Sequence, residues 1–104
     1  MASKKIILTE VAKESIIEIL EFYFLQNGNS IFSKKLSKQI KSIIKLIAKY
    51  NYAGKQTEEE NIRVFIKDRN AIFYEMNSIF IIVHLVWDCR RNPEELEFNT
   101  QENP

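Results

Sequence analysis

The chain has 104 residues and 45% apolar content, which suits one domain around one core and excludes a disordered protein. Its formal net charge of +1 points to no class of partner, yet residues 1–57 carry 10 Lys against 4 Glu and residues 58–104 carry 5 basic against 10 acidic residues, so a local basic patch is open to it. Cys89 is the single cysteine, which excludes an internal disulfide; the N-terminal apolar run is only Ile6-Ile7-Leu8, so the sequence predicts a cytoplasmic protein with no signal peptide and no membrane span.

Lys5 to Leu8 reads as a short first strand. Thr9 can cap the helix that follows, and Glu10 and Glu14 suit the positive end of its dipole. Ala12, Ile16, Ile19, Leu20 and Tyr23 recur at spacings of three and four and mark its buried face. Asn27-Gly28 ends the helix, with Gly28 free to take the left-handed conformation of a C-cap. A second helix starts at Asn29 or Ser30 and runs to about Tyr50. Phe32, Leu36, Ile40, Ile43 and Ile47 form its apolar face. Lys34, Lys38, Lys41, Lys45 and Lys49 form another stripe, read either as a solvated face or as a contact for phosphate or an acidic partner. The short link between the helices predicts an antiparallel hairpin.

Asn51 to Asn61 is polar and reads as a loop. Ile62 to Lys67 alternates as a strand, and Asp68-Arg69-Asn70 turns the chain into a hairpin. That hairpin begins at Ala71, turns at Met76-Asn77-Ser78, and returns as an apolar, β-branched strand from Ile79 to Trp87. The return strand is expected to be central and covered on both faces. The expected order is β-α-α-β-β-β: an α+β fold with a helical hairpin on one face of a mainly antiparallel four-stranded sheet. Ile43 and Ile82 are expected in the core between helices and sheet. Residues 1–96 form the domain, and 97–104 a polar C-terminal tail. The sequence has no Gly-rich phosphate loop and no nucleophile elbow, and one His with one Cys cannot build the common metal sites, so it implies neither cofactor nor metal.

Several stretches carry a resemblance. Thr9-Glu10-x-Ala12 with Ile16 to Tyr23, Asn61-Ile62-Arg63, Ile72-Phe73-Tyr74-Glu75 and Val86-Trp87-Asp88-Cys89-Arg90-Arg91-Asn92-Pro93 are similar to the RelE/ParE superfamily of toxins from type II toxin–antitoxin systems. The likeness spans residues 5–96. It implies growth arrest until a cognate antitoxin neutralises the protein, with a higher-order toxin–antitoxin complex as a further possibility. RelE-type members cut ribosome-bound messenger RNA; ParE-type members bind DNA gyrase. Ala71 stands where RelE-type enzymes often carry Arg, and Leu96 where several carry Tyr. These departures favour ParE-like binding to gyrase or another target protein. The alternatives are a metal-independent, ribosome-dependent endoribonuclease and a non-toxic, partner-bound domain of the same fold.

Under the nuclease alternative, cleavage through the 2′-hydroxyl needs a base, an acid and positive charge about the phosphate. The resemblance matches Arg90, and more loosely Arg63, to basic positions of the nuclease site. The competing reading pairs them with Glu58–Glu60 or Asp88 at the surface. His84 is the chain's one imidazole, the usual acid–base group of enzymes, but alternation puts it on a face with Phe80, Ile82 and Val86, as a buried, hydrogen-bonded side chain. Glu75 is a base if desolvated and otherwise a cross-strand partner of Lys67 or Arg63. Arg90, Arg91, Lys67, Lys41, Lys45 and Lys49 are the candidates for contact with nucleic acid or a target. Trp87 reads as core, and Cys89 as inert.

Overall fold

The computed structural model describes residues 3–90. Strand β1 (Lys5–Leu8) leads into helices α1 (Glu10–Asn27) and α2 (Ile31–Lys49), then strands β2 (Lys55–Gln56), β3 (Arg63–Lys67), β4 (Asn70–Met76) and β5 (Phe80–Asp88). The sheet has five strands in the order β1-β5-β4-β3-β2, with β1 parallel to β5 and the other neighbours antiparallel. The expectation of four strands is corrected by β2, inside the segment read as a loop. Lys55 and Gln56 pair with Val64 and Arg63. Two residues are too few for an alternating pattern to register. The expected β-α-α-β-β-β order otherwise stands, with that strand inserted after the hairpin.

Local chemistry explains the helix ends. Thr9 is the N-cap of α1, its hydroxyl accepting from the Ala12 N–H at 3.1 Å, and Gly28 closes the helix at φ 71°. At the start of α2 the Ser30 side chain makes no cap bond; Asn29 Oδ1 accepts from the Ile31 N–H at 3.1 Å instead. Ser33 Oγ donates to the Leu20 carbonyl and ties the hairpin together. Ser15 Oγ accepts from the Val86 N–H and ties α1 to β5. In the two-residue link between β3 and β4, Asp68 and Arg69 both take positive φ, at 52° and 66°, as a tight hairpin turn needs.

The main core lies between the helices and the sheet. Ala12, Ile19 and Tyr23 of α1 and Leu36, Ile40, Ile43 and Ile47 of α2 meet Ile72, Tyr74, Ile81, Val83 and Val86. The opposite face carries a second cluster of Ile62, Val64, Ala71 and Phe73, with Leu85 and Trp87 packed against it. The middle strand is therefore β4, and β5 lies between β1 and β4. The helix-facing residues of β5 are buried, while Phe80, Ile82, His84, Leu85 and Trp87 are half-buried, so its cover is unequal on the two faces.

A break in register moves two expected positions. Tyr74 pairs with Val83 but Phe73 with Leu85, leaving His84 as the extra residue of a bulge. Past the bulge Val86 turns toward the helices, so it does not share the face of His84. Ile82 pairs with Glu75 on the face away from the helices, and Ile81, fully buried, holds the core place expected for Ile82. Ile43 is buried as expected.

Candidate functional site

The end of β5 runs one residue beyond Trp87, to Asp88. This carboxylate is buried, although a charged residue after an apolar run reads as an exit to solvent. Its surroundings explain the burial. Oδ2 accepts the hydroxyl proton of Tyr23 from α1. Oδ1 accepts from the Arg90 main-chain N–H at 3.1 Å and lies 3.1 Å from Arg90 Nε. The guanidinium donates through Nε to Tyr23 Oη at 3.0 Å and through Nη1 to the Asp68 carbonyl at 3.3 Å. It sits against two rings, 5.5 Å from the centre of Tyr23 and 5.7 Å from that of Phe32. Nη2 is buried with no acceptor among the described residues, and 20% of the side chain is exposed. Arg90 thus joins β5, α1, α2 and the β3–β4 turn. Burial, and next the hydrogen bond to Asp88, push the Tyr23 phenol above its ordinary 10.0, with Arg90 pulling the other way. Partial desolvation and then Asp88 also push the Cys89 thiol above its ordinary 9.0, with Arg90 pulling the other way, although the residue is exposed.

Arg63 is held at another corner. Its Nη1 donates to the Gly54 carbonyl at 2.6 Å, and its guanidinium lies 4.9 Å from the centre of the Tyr52 ring. Beside it, buried Tyr74 donates to the Asn51 carbonyl at 2.7 Å and accepts from the Gly54 N–H at 3.0 Å. A Cβ on Gly54 would stand 2.8 Å from Tyr74 Oη and 2.9 Å from the Val64 carbonyl, so this approach needs glycine. Burial pushes the Tyr74 phenol above 10.0 as well.

These two arginines do not share a surface. Arg63 lies opposite Tyr74 on β4, and Asp88 lies opposite Asn70. Four residues of strand, about 13 Å, and two strand spacings separate them before the chain reaches Arg90. The titratable pair is elsewhere again. His84 Nε2 lies 2.7 Å from Glu75 Oε1, with side chains 30% and 37% exposed, on the sheet face away from the helices. Glu75 therefore pairs with His84, not with Lys67 or Arg63 as its cross-strand position suggested. Ile82, two residues before His84 on the same face, is the cross-strand partner of Glu75, so His84 reaches it diagonally. Trp87 packs on the second cluster, as a core residue would.

Lys34, Lys35, Lys38, Lys41, Lys45 and Lys49 of α2 are all exposed, and the helix holds no Asp or Glu. Lys49 Nζ lies 5.4 Å from the centre of the Tyr50 ring. Lys67 points to the helix side of the sheet, where it meets Lys35 and Lys38 across a groove of about 530 Å³. Ile43 and Leu46 supply apolar lining, and Asp68 is the acid among the lining residues. Sequence reading missed Lys35 and the groove. The signal was there in part, because alternation puts Lys67 on the face of Phe65, but the stripe of α2 gave no sign of which strand it lies above. Arg91 and the boundary between residues 96 and 97 lie outside the described residues. Among the described residues, no three His, Cys, Asp or Glu side chains gather as a metal site requires, and no helix is long and apolar enough to cross a membrane.

No protein-family profile matches the chain, and a search of curated proteins finds no match.

Proposed function

We propose that the protein is a growth-arresting toxin of the RelE/ParE type that acts by binding a target protein, DNA gyrase in the ParE-like form, and that a cognate antitoxin neutralises it. The family reading rests on the resemblance, and the helical hairpin between a first strand and an antiparallel run is compatible with it. The mode of action rests on one observation: the cations and the acid–base pair do not converge. RNA cleavage asks a base, an acid and a guanidinium to reach one phosphate. Here Arg63 and Arg90 lie at separate corners, each engaged by its own fold. His84 and Glu75 lie on the opposite face of the sheet. Exposed lysines on α2 leave charge for recognition rather than for phosphate chemistry.

The test is a supercoiling assay with purified gyrase and purified protein, beside induction of the protein in growing bacteria. Induction should arrest growth, and the protein should inhibit supercoiling in proportion to its concentration. Growth arrest with gyrase untouched would require a different target protein. Normal growth with folded protein present would overturn the toxin reading.

A further inference from the structure

The groove between α2 and β3 differs from both arginine corners, because its cations are not engaged by the fold. Lys35 and Lys38 stand on one wall and Lys67 on the other, all exposed, and the ion pairs seen among the described residues involve none of the three. Between them lie Ile43, which is buried, and Leu46, which is half-buried.

We propose that this groove docks an acidic, amphipathic peptide segment of a partner protein. Two features of the groove define that occupant. Three lysines against Asp68 set the sign of the charge, and α2 adds no acid anywhere along its 19 residues. The apolar lining sets the rest. A phosphate backbone has no apolar group to place on Ile43 and Leu46, whereas a peptide can seat aliphatic side chains there and send carboxylates to both walls. About 530 Å³ accommodates a few side chains and not a globular body. The helix is about 28 Å long, so the groove runs beside a ridge that a helical or extended segment can follow. Exposed lysines steer the segment and fix its register, and burial of its apolar side chains holds it. Asp68 repels a carboxylate at its own position, which favours one direction of binding. None of this depends on growth arrest, and the test uses the purified chain.

The probe is a short acetylated peptide carrying Leu and Glu at helical spacings of three and four, titrated into isotope-labelled protein and followed by amide chemical shifts. A scrambled isomer and a short DNA duplex serve as comparisons. Shifts should concentrate at Lys35, Lys38, Ser42, Leu46 and Lys67. Reversing Lys38→Glu and Lys67→Glu together should weaken binding roughly tenfold or more, and Asp68→Asn should tighten it. These side chains are exposed, so the fold survives the changes. Ser42→Trp, also exposed, should fill the groove and abolish the shifts. Equal binding of the scrambled isomer, shifts outside the groove, no shift at all, or indifference to the charge reversals would overturn the proposal. Stronger shifts of the same amides by the duplex would make the groove a nucleic-acid surface instead.

Discussion

Two corners of the sheet each hold an arginine, and they hold it by different means. At the end of β5, Arg90 is half of a charged unit: a buried carboxylate, the Tyr23 phenol and the Phe32 ring surround it. At the start of β3, Arg63 ties down a loop: it meets a backbone carbonyl and one exposed ring. The first arrangement leaves an uncompensated charge if either partner is lost. The second loses a contact and exposes the loop to water. A basic residue at a strand end can thus be used up by the fold, and burial of its partner decides how much of it is used.

The largest expected effect follows from that difference. Arg90→Ala leaves Asp88 buried with only the Tyr23 hydroxyl as a side-chain donor, and should cost about 3 kcal/mol. Arg63→Ala gives up one hydrogen bond and one ring contact, and should cost about 1 kcal/mol. The two have no shared partner, so the double variant should be additive within about 0.5 kcal/mol. Urea unfolding with unchanged m-values measures all three. Equal losses at the two corners would remove the distinction, and strong coupling would mean that the arginines communicate.

The two corners also respond to pH, with a smaller effect. Tyr23 at one corner and Tyr74 at the other both have phenols raised above 10.0, mainly by burial. A raised folded value means that the unfolded chain loses its phenolic proton first. The stabilisation is therefore whole below the ordinary value of 10.0 and is lost as pH climbs through the folded values. The urea midpoint should fall on going from about pH 9 to about pH 11, and Tyr23→Phe and Tyr74→Phe should each flatten part of that fall. A slope that neither variant changes would place the alkaline sensitivity elsewhere.

Much of the fold was legible in the sequence because its signals are long. The three- and four-residue spacings of α1 and α2, the Thr9 cap and Gly28 give both helices and their buried faces. The alternation of β3 and the apolar run of β5 give the hairpin system. What escaped is short or depends on another element. Lys55 and Gln56 are strand only because the edge of β3 is open beside them. The bulge at His84 leaves no mark in composition, yet it turns Val86 inward. Asp88 reads as solvent-facing until Tyr23, from a helix 65 residues away in sequence, supplies its hydrogen bond. The groove was hidden for the same reason, since its walls come from α2 and β3 and only the packing brings them together.

Under the proposed function both arginines serve the fold, and growth arrest would proceed without cleavage of RNA. Primer extension on cellular messenger RNA, made shortly after induction of the protein, tests it most directly. The expected result is growth arrest with no new transcript ends, in the unaltered protein and in Arg63→Ala alike. Discrete new ends in the unaltered protein, lost in a folded Arg90→Ala variant, would contradict it and make Arg90 a catalytic residue.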